Sequence, residues 1–210
     1  MWRLLLVLYL FLPQGLSSSE LVDRVSEKYG RLDSLSADFE QISISSNQKG
    51  QFRGHVYLKK GKRALFRYDT PIKKFDYFDG KFYTTYRPEL AQAQRFPVNK
   101  AADDRLVIFL ILGNRDAPWR DQFPTMEKPS DSPVMSPGNQ IVRLIPKNKK
   151  DVPEVLVEAD PKTFLIHRFV SSRSDGARDE FKFTNIKTDP LEDSLFKFIA
   201  PPGVDVFEDK

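Results

Sequence analysis

Apolar and polar positions alternate with period two through most of the stretch Phe52–Tyr86, the mark of strands that bury one face and wet the other. Phe52, Gly54, Val56 and Leu58 share one face, and Arg53, His55, Tyr57 and Lys59 share the other. Ala64, Phe66 and Tyr68 repeat the scheme against Arg63, Arg67 and Asp69, and Phe75 and Tyr77 alternate with Lys74 and Asp76. The pattern predicts an antiparallel sheet with an aromatic-rich apolar face and a basic, wet face. Upstream, Leu21, Val25, Tyr29 and Leu32 recur at helical spacing, which predicts a helix over residues 19–32 with Ser18 or Ser19 as its cap. From Ser34 to Ser45 the chain switches to alternation through Leu35, Ala37, Phe39 and Gln41. Asp79-Gly80, between two aromatic runs, is a two-residue hairpin signal.

Further along, Leu106–Leu112 (LVIFLIL) lies between Asp103-Asp104-Arg105 and Gly113-Asn114, start and stop signals for a helix that is apolar almost all round. Such a helix is sandwiched; a buried strand is the competing assignment for so short a run. The many prolines of residues 115–139 exclude a central strand or a long helix there and leave a loop with one short edge strand around Gln122–Glu127. Further strands are expected over Ile141–Pro146, Glu154–Ala159, Phe164–Ser171 and Arg178–Ile186, a helical turn over Leu191–Leu195, and an extended tail LFKFIAPPGVDVF. About ten strands and two helices make an α+β fold, in which so wide a sheet must curl or close to manage its edges.

Composition changes this picture in three places. Met1-Trp2-Arg3, an unbroken apolar run Leu4–Leu12 and small residues up to Ser19 have the layout of a cleavable secretory signal peptide over residues 1–19. Residues 20–210 are then one domain of about 190 residues, long enough for its own core. The chain has no Cys, so neither a disulfide framework nor a lipidated N-terminal cysteine is available. Removing Arg3 with the leader takes Lys+Arg from 33 to 32 against 29 acids, a net charge of +3. That suits anionic surfaces and argues against nucleic acid as a partner.

Candidate chemistry adds little. There is no phosphate-binding loop, nucleophile elbow or zinc-protease signature, and His55 and His167 fall on different strands without clustered partners. Asp103-Asp104 suit a helix start and Asp189 a turn. The expectation is a protein that is not an enzyme and that carries no metal and no cofactor. Two uses of the aromatic face remain open: an ordinary core, or the lining of a cavity.

The ordered segments LSADFEQ, GHVYLKK, ALFRYDTP, YFDGKFYTTYRPEL, LVIFLILG, IVRLIPK and FKFIAPPGVDVF resemble the outer-membrane lipoprotein carrier (LolA) family over essentially the whole mature chain. The resemblance implies an incomplete, half-open antiparallel β-barrel with helices forming a lid over an apolar concave face. It implies a periplasmic, monomeric carrier that takes lipid-modified proteins, by their acyl chains, from an inner-membrane ABC transporter to an outer-membrane receptor. The lack of Cys matches the soluble carrier and not the lipid-anchored receptor of the same fold. On the alternation above, the acyl-chain lining is expected from Phe52, Val56, Leu58, Phe66, Tyr68, Phe75, Tyr77, Phe82, Phe181 and Phe183. The lid is expected from Leu21, Val25, Tyr29, Leu106, Ile108, Phe109 and Leu112. The family's lid-fastening Arg-Pro is absent; the turn reads Lys59-Lys60-Gly61-Lys62-Arg63, which makes Lys60 and Arg63 the candidate latch, with solvated hairpin charges as the competing view. A carrier of another lipid and a periplasmic lipid- or lipoprotein-sensing module are the alternatives within the same fold.

Overall fold

The computed structural model describes residues 15–46, 48–97, 119–147 and 152–208. Most of the segment expected to be a signal peptide and the run holding Leu106, Ile108, Phe109 and Leu112 lie outside the described residues.

The chain opens with α1 (Ser18–Arg31), capped by Ser17, whose side chain accepts from the Glu20 backbone while the Glu20 side chain accepts from the Ser17 backbone. The cap is therefore one residue earlier than the helix pattern predicts, because only Ser17 has a glutamate at the reciprocal third position. Six strands follow: β1 (Ser34–Ser45), β2 (Gln48–Lys59), β3 (Arg63–Thr70), β4 (Lys74–Asp79), β5 (Phe82–Arg87) and β6 (Gln92–Pro97). A single helical turn, α2 (Trp119–Gln122), leads into the edge strand β7 (Thr125–Glu127). Then come β8 (Gln140–Ile145), β9 (Glu154–Ala159), β10 (Ile166–Ser172) and β11 (Arg178–Lys187), a 3-10 turn over Asp193–Phe196, and β12 (Asp205–Glu208).

All twelve strands belong to one open sheet ordered β12-β6-β5-β4-β3-β2-β1-β11-β10-β9-β8-β7. Neighbours are antiparallel except β12, which runs parallel to β6. The sheet holds two more strands than the alternation suggests: β6 and the extended tail both pair. β1 is the hinge of the topology, with β2 on one side and β11 on the other, so the two halves of the sequence spread from it in opposite directions.

One face of the sheet closes on a single core with α1 and α2. Leu35, Ala37 and Phe39, Val56 and Leu58, Ala64, Phe66 and Tyr68, and Phe181 and Phe183 all point into it, as their alternation requires. Gly54 has a specific task there. A Cβ at this position would stand 1.9 Å from the Arg67 carbonyl, so no other residue fits, and the Phe39 and Tyr68 rings close edge to face with centroids 5.2 Å apart.

The parity expected for β4 and β5 is inverted. Asp76 pairs with Phe66 and Phe78 with Ala64, so Asp76 and Phe78 share the inner face and Phe75 and Tyr77 lie on the outer one. The hairpin loop is Gly80-Lys81 in place of Asp79-Gly80: Phe78 pairs with Tyr83, and the Asp79 carboxylate accepts from the Lys81 and Phe82 amides at 2.9 and 2.7 Å. Phe82 therefore joins Tyr77 outside. What decides the parity is the tail, whose Phe196 is fully buried and whose Phe198 ring lies 5.6 Å from Tyr77 and 5.3 Å from Tyr86. Covered by the tail, the outer aromatics need no place in the inner core.

Candidate functional site

The inner face is a largely aromatic and aliphatic surface that crosses the sheet. Its centre is a cluster of Phe39, Phe66 and Phe181, with Phe39–Phe66 and Phe39–Phe181 centroids both 5.9 Å apart and Phe66–Phe181 at 6.2 Å. Phe183 stacks on Phe181 at 6.1 Å, and Phe52 meets Tyr68 edge to face at 5.9 Å. Phe66 and Phe181 are essentially inaccessible, whereas Phe52 is half-buried at the rim. Val56 and Leu58 fill the gaps between the rings.

Of the ten residues expected to line a cavity, Phe52, Val56, Leu58, Phe66, Tyr68, Phe181 and Phe183 thus lie on this face. Phe75, Tyr77 and Phe82 do not. They lie outside, where Tyr77 and Phe82, with Asp79, Thr84, Arg95, Phe196, Phe198 and Glu208 among the other walls, line a shallow pocket of about 310 Å³. The Arg95 guanidinium sits 4.0 Å over the Phe82 ring, and Tyr77 stacks beside Phe75. Burial, reinforced by the charge of the neighbouring Tyr86, pushes the Tyr77 phenol up.

Five aromatic side chains not singled out beforehand complete the face: Phe39, Phe169, Phe78 and Tyr83 on the sheet, and Trp119 of α2. Phe123, just after α2, stands 6.4 Å from Trp119. Phe39 carries the same signal as Leu35 and Ala37, four and two positions before it. Tyr83 and Phe78 are paired ring to ring at 4.6 Å, which only the strand register reveals. The face also holds one buried acid, Asp76, which accepts from the Tyr83 hydroxyl at 3.0 Å and pairs with Lys74 at 2.9 Å. Lys74 in turn lies 4.3 Å over the Tyr68 ring.

α1 covers part of the face. Leu21, Val22, Val25 and Tyr29 are its buried stripe, and they pack toward α2, β7 and β8. The Tyr29 hydroxyl accepts a hydrogen bond from the Ile166 amide at 2.9 Å, tying the helix to β10. Burial raises the Tyr29 phenol well above its usual range, and this outweighs the lowering from the Ile166 amide. Arg120 grips Asp23 with two nitrogens, fixing α2 against the first turns of α1.

Among the described residues, the candidate latch residues pair with the end of α1 and with the C-terminal segment. Arg63 Nη1 pairs with Asp193 at 2.6 Å and its Nε donates to the Lys60 carbonyl at 2.9 Å. Lys59 reaches the same Asp193 at 2.7 Å and also donates to the Leu191 carbonyl. These two cations hold the Asp193 carboxyl below its usual range. Lys60 pairs with Asp33 at 3.3 Å. Among the described residues, then, the hairpin fastens the C-terminal segment to the outer face, with Arg63 at its centre. No three His, Asp or Glu side chains gather into a metal-binding group among the described residues.

An apolar, ring-lined face flanked by an amphipathic helix is suited to non-directional binding of hydrocarbon. Comparison with known proteins agrees with the geometry. A family model described as outer membrane lipoprotein carrier protein LolA matches residues 30–199. Outer-membrane lipoprotein carrier proteins of Haemophilus influenzae (strain PittEE) and Pasteurella multocida are each 29% identical, over 91% of this chain and 90% of theirs. An uncharacterized conserved protein from Thermus thermophilus shares the fold, with a TM-score of 0.56 at 14% identity over 91% of this chain and 98% of that one. With four-fifths of its length matched and the open twelve-stranded sheet in place, this chain belongs to the LolA family of outer membrane lipoprotein carrier proteins.

Proposed function

We propose that the protein carries lipid-modified proteins by enclosing their acyl chains between the inner face of the sheet and its helical cover. The carrying observation is the continuous aromatic surface from the half-exposed rim at Phe52 through Tyr68 and Phe39 to the buried Phe181 and Phe183. In this reading residues 1–19 direct export to the periplasm. There the monomeric carrier loads from an inner-membrane ABC transporter and unloads to an outer-membrane receptor.

The energetics call for a cover that competes with cargo. An acyl chain gains about 0.8 kcal/mol per buried CH₂, so ~15 methylenes are worth roughly 12 kcal/mol before costs. A rigid open cavity would hold several such chains almost irreversibly. Here the face packs against the protein's own apolar groups, and Leu21, Val25 and Tyr29 of α1 supply part of that cover. Opening forfeits those contacts and offsets the gain, which keeps release within reach.

Native mass spectrometry of the protein recovered from its own periplasm tests the cargo: a bound triacylated protein is expected, and a small free lipid in its place would mark a carrier of another lipid. Phe52→Asp at the rim should reduce acyl-chain uptake at least tenfold, whereas Phe75→Asp on the outer face should leave it unchanged. Equal uptake by both variants would remove the inner face as the site.

A further inference from the structure

The C-terminal half of α1 and the turn before β10 enclose an open groove of about 430 Å³, lined by Arg24, Glu27, Lys28, Arg31, Leu32 and Phe164. Its charged groups are three cations and one acid. The Glu27 carboxylate is shared, 3.5 Å from Arg24 and 2.5 Å from Arg31, and so spaces the two guanidinium groups on either side of it. Lys28 has no carboxylate partner among the described residues. Lys28 and Arg31 also complement the helix C-terminus, but that role asks nothing of Arg24, a turn earlier. The β2–β3 hairpin adjoins the end of the helix, where the Lys60 amide donates to the Asp33 carbonyl at 3.0 Å.

The floor of the groove is apolar. Leu32 and Phe164 both pack against the main core, so the groove is continuous with the inner face. The Arg24 guanidinium lies 5.4 Å from the Phe164 ring centre. Phe164 itself is held at φ 59, a left-handed conformation that a bulky residue adopts only when its surroundings impose it. The Phe164 amide donates to the Asp160 carbonyl at 2.8 Å, and the Asp160 amide donates to the Leu165 carbonyl at 3.1 Å. The Asp160 carboxylate accepts from the Lys162 amide at 2.7 Å, which closes the turn. The turn thus keeps an aromatic ring beside the cations at a position where Gly would relax the backbone.

We propose that this groove docks the protein on a membrane surface bearing anionic phospholipids. Arg24, Lys28 and Arg31 hold the headgroup phosphate, and Leu32 and Phe164 receive the glycerol and first methylenes. An acidic peptide would use the cations alone, whereas a headgroup with its acyl stem matches both the charge and the floor. The rule that a cation near an anionic surface contributes about a factor of five in binding sets the scale of the effect.

Co-sedimentation of the full chain with vesicles of phosphatidylcholine, alone or mixed with phosphatidylglycerol, tests the docking. Binding is expected only to the mixed vesicles, weakening as salt is raised from low to physiological strength. The triple variant Arg24→Gln/Lys28→Gln/Arg31→Gln should bind them at least tenfold more weakly. Lys28→Glu, which breaks no ion pair among the described residues, should lower binding severalfold with the melting temperature unchanged. Phe164→Gly, which suits the positive φ, should also weaken it. Equal binding to phosphatidylcholine vesicles, or undiminished binding by the triple variant, overturns the proposal. So does full displacement by soluble glycerol phosphate or by an acidic peptide, since either would assign the groove to a ligand other than a membrane. The readout uses empty protein, so it stands or falls separately from acyl-chain uptake.

Discussion

Glu158 is completely buried on the outer face, in a stretch of β9 that would otherwise pass for a simple hydrophobic strand. Its carboxylate accepts from the backbone amides of Met135 and Ser136 at 2.9 and 2.8 Å and from the Asn139 side chain at 3.2 Å. Arg168 stands 3.6 Å away and donates to Glu180 at 2.8 Å and to the Pro133 carbonyl at 3.3 Å. Burial would raise the Glu180 carboxyl, but Arg168, with Arg178 and Lys182, more than offsets this and holds it low. One acid therefore pins the proline-rich loop across the sheet. Glu158→Gln keeps the shape but turns an N–H₂ toward amide donors, and a buried charged partner lost in this way costs about 2 kcal/mol or more. Urea unfolding should show a loss of that size, and a variant as stable as the parent would mean that the loop is held by something else. Such a residue is not legible beforehand, because alternation reports which face a side chain takes and not what a loop about 20 residues upstream will bring to it. Phe66, Tyr68, Val56 and Leu58 are legible for the opposite reason: charges at Arg63, Arg67 and Asp69 of β3 and at Arg53 and Lys59 of β2 mark the other parity, and Leu65 is the one aliphatic residue of β3 that runs against the pattern.

The strand β4, read as an element, is where alternation runs out. KFDYFD has aromatics at both parities, Phe75 and Tyr77 on one and Phe78 on the other, so the local pattern does not choose a face. The choice is made more than a hundred residues later, when Phe196 and Phe198 arrive to cover the outer aromatics. The β2–β3 hairpin follows the same logic. Its cations can be seen in the sequence, but their partner Asp193 belongs to that distant tail. If Arg63 is the main fastening, Arg63→Ala should speed hydrogen exchange at Leu195–Phe198 several-fold while β1 and β11 stay protected. Because the pair is exposed, its effect should fade as salt is raised. Unchanged exchange in the tail would assign its docking to Lys59 and to the Phe196 and Phe198 rings.

For the molecule as a whole, the carrier reading turns on whether α1 is a permanent wall or a movable one. Sheet strands are held to one another by continuous ladders, whereas α1 is held by its apolar stripe, by the Arg120–Asp23 pair and by the hydrogen bond that the Ile166 amide donates to the Tyr29 hydroxyl. Removal of that bond is asymmetric: Tyr29→Phe leaves the ring and its packing in place but strands a buried N–H, at a cost of about 1–3 kcal/mol. If α1 opens to admit acyl chains, part of that cost falls on the closed state alone, because an opened helix exposes the Ile166 amide to water. The closed-to-open ratio then drops by a factor of up to roughly 5 to 160. Empty Tyr29→Phe protein should therefore bind an apolar fluorescent dye more strongly than the parent at a temperature well below its melting transition, and take up acyl chains faster. Should the variant melt earlier yet bind no more dye, the helix opens only when the whole domain unfolds. The inner face would then be an ordinary core, with the entry for cargo to be sought away from α1.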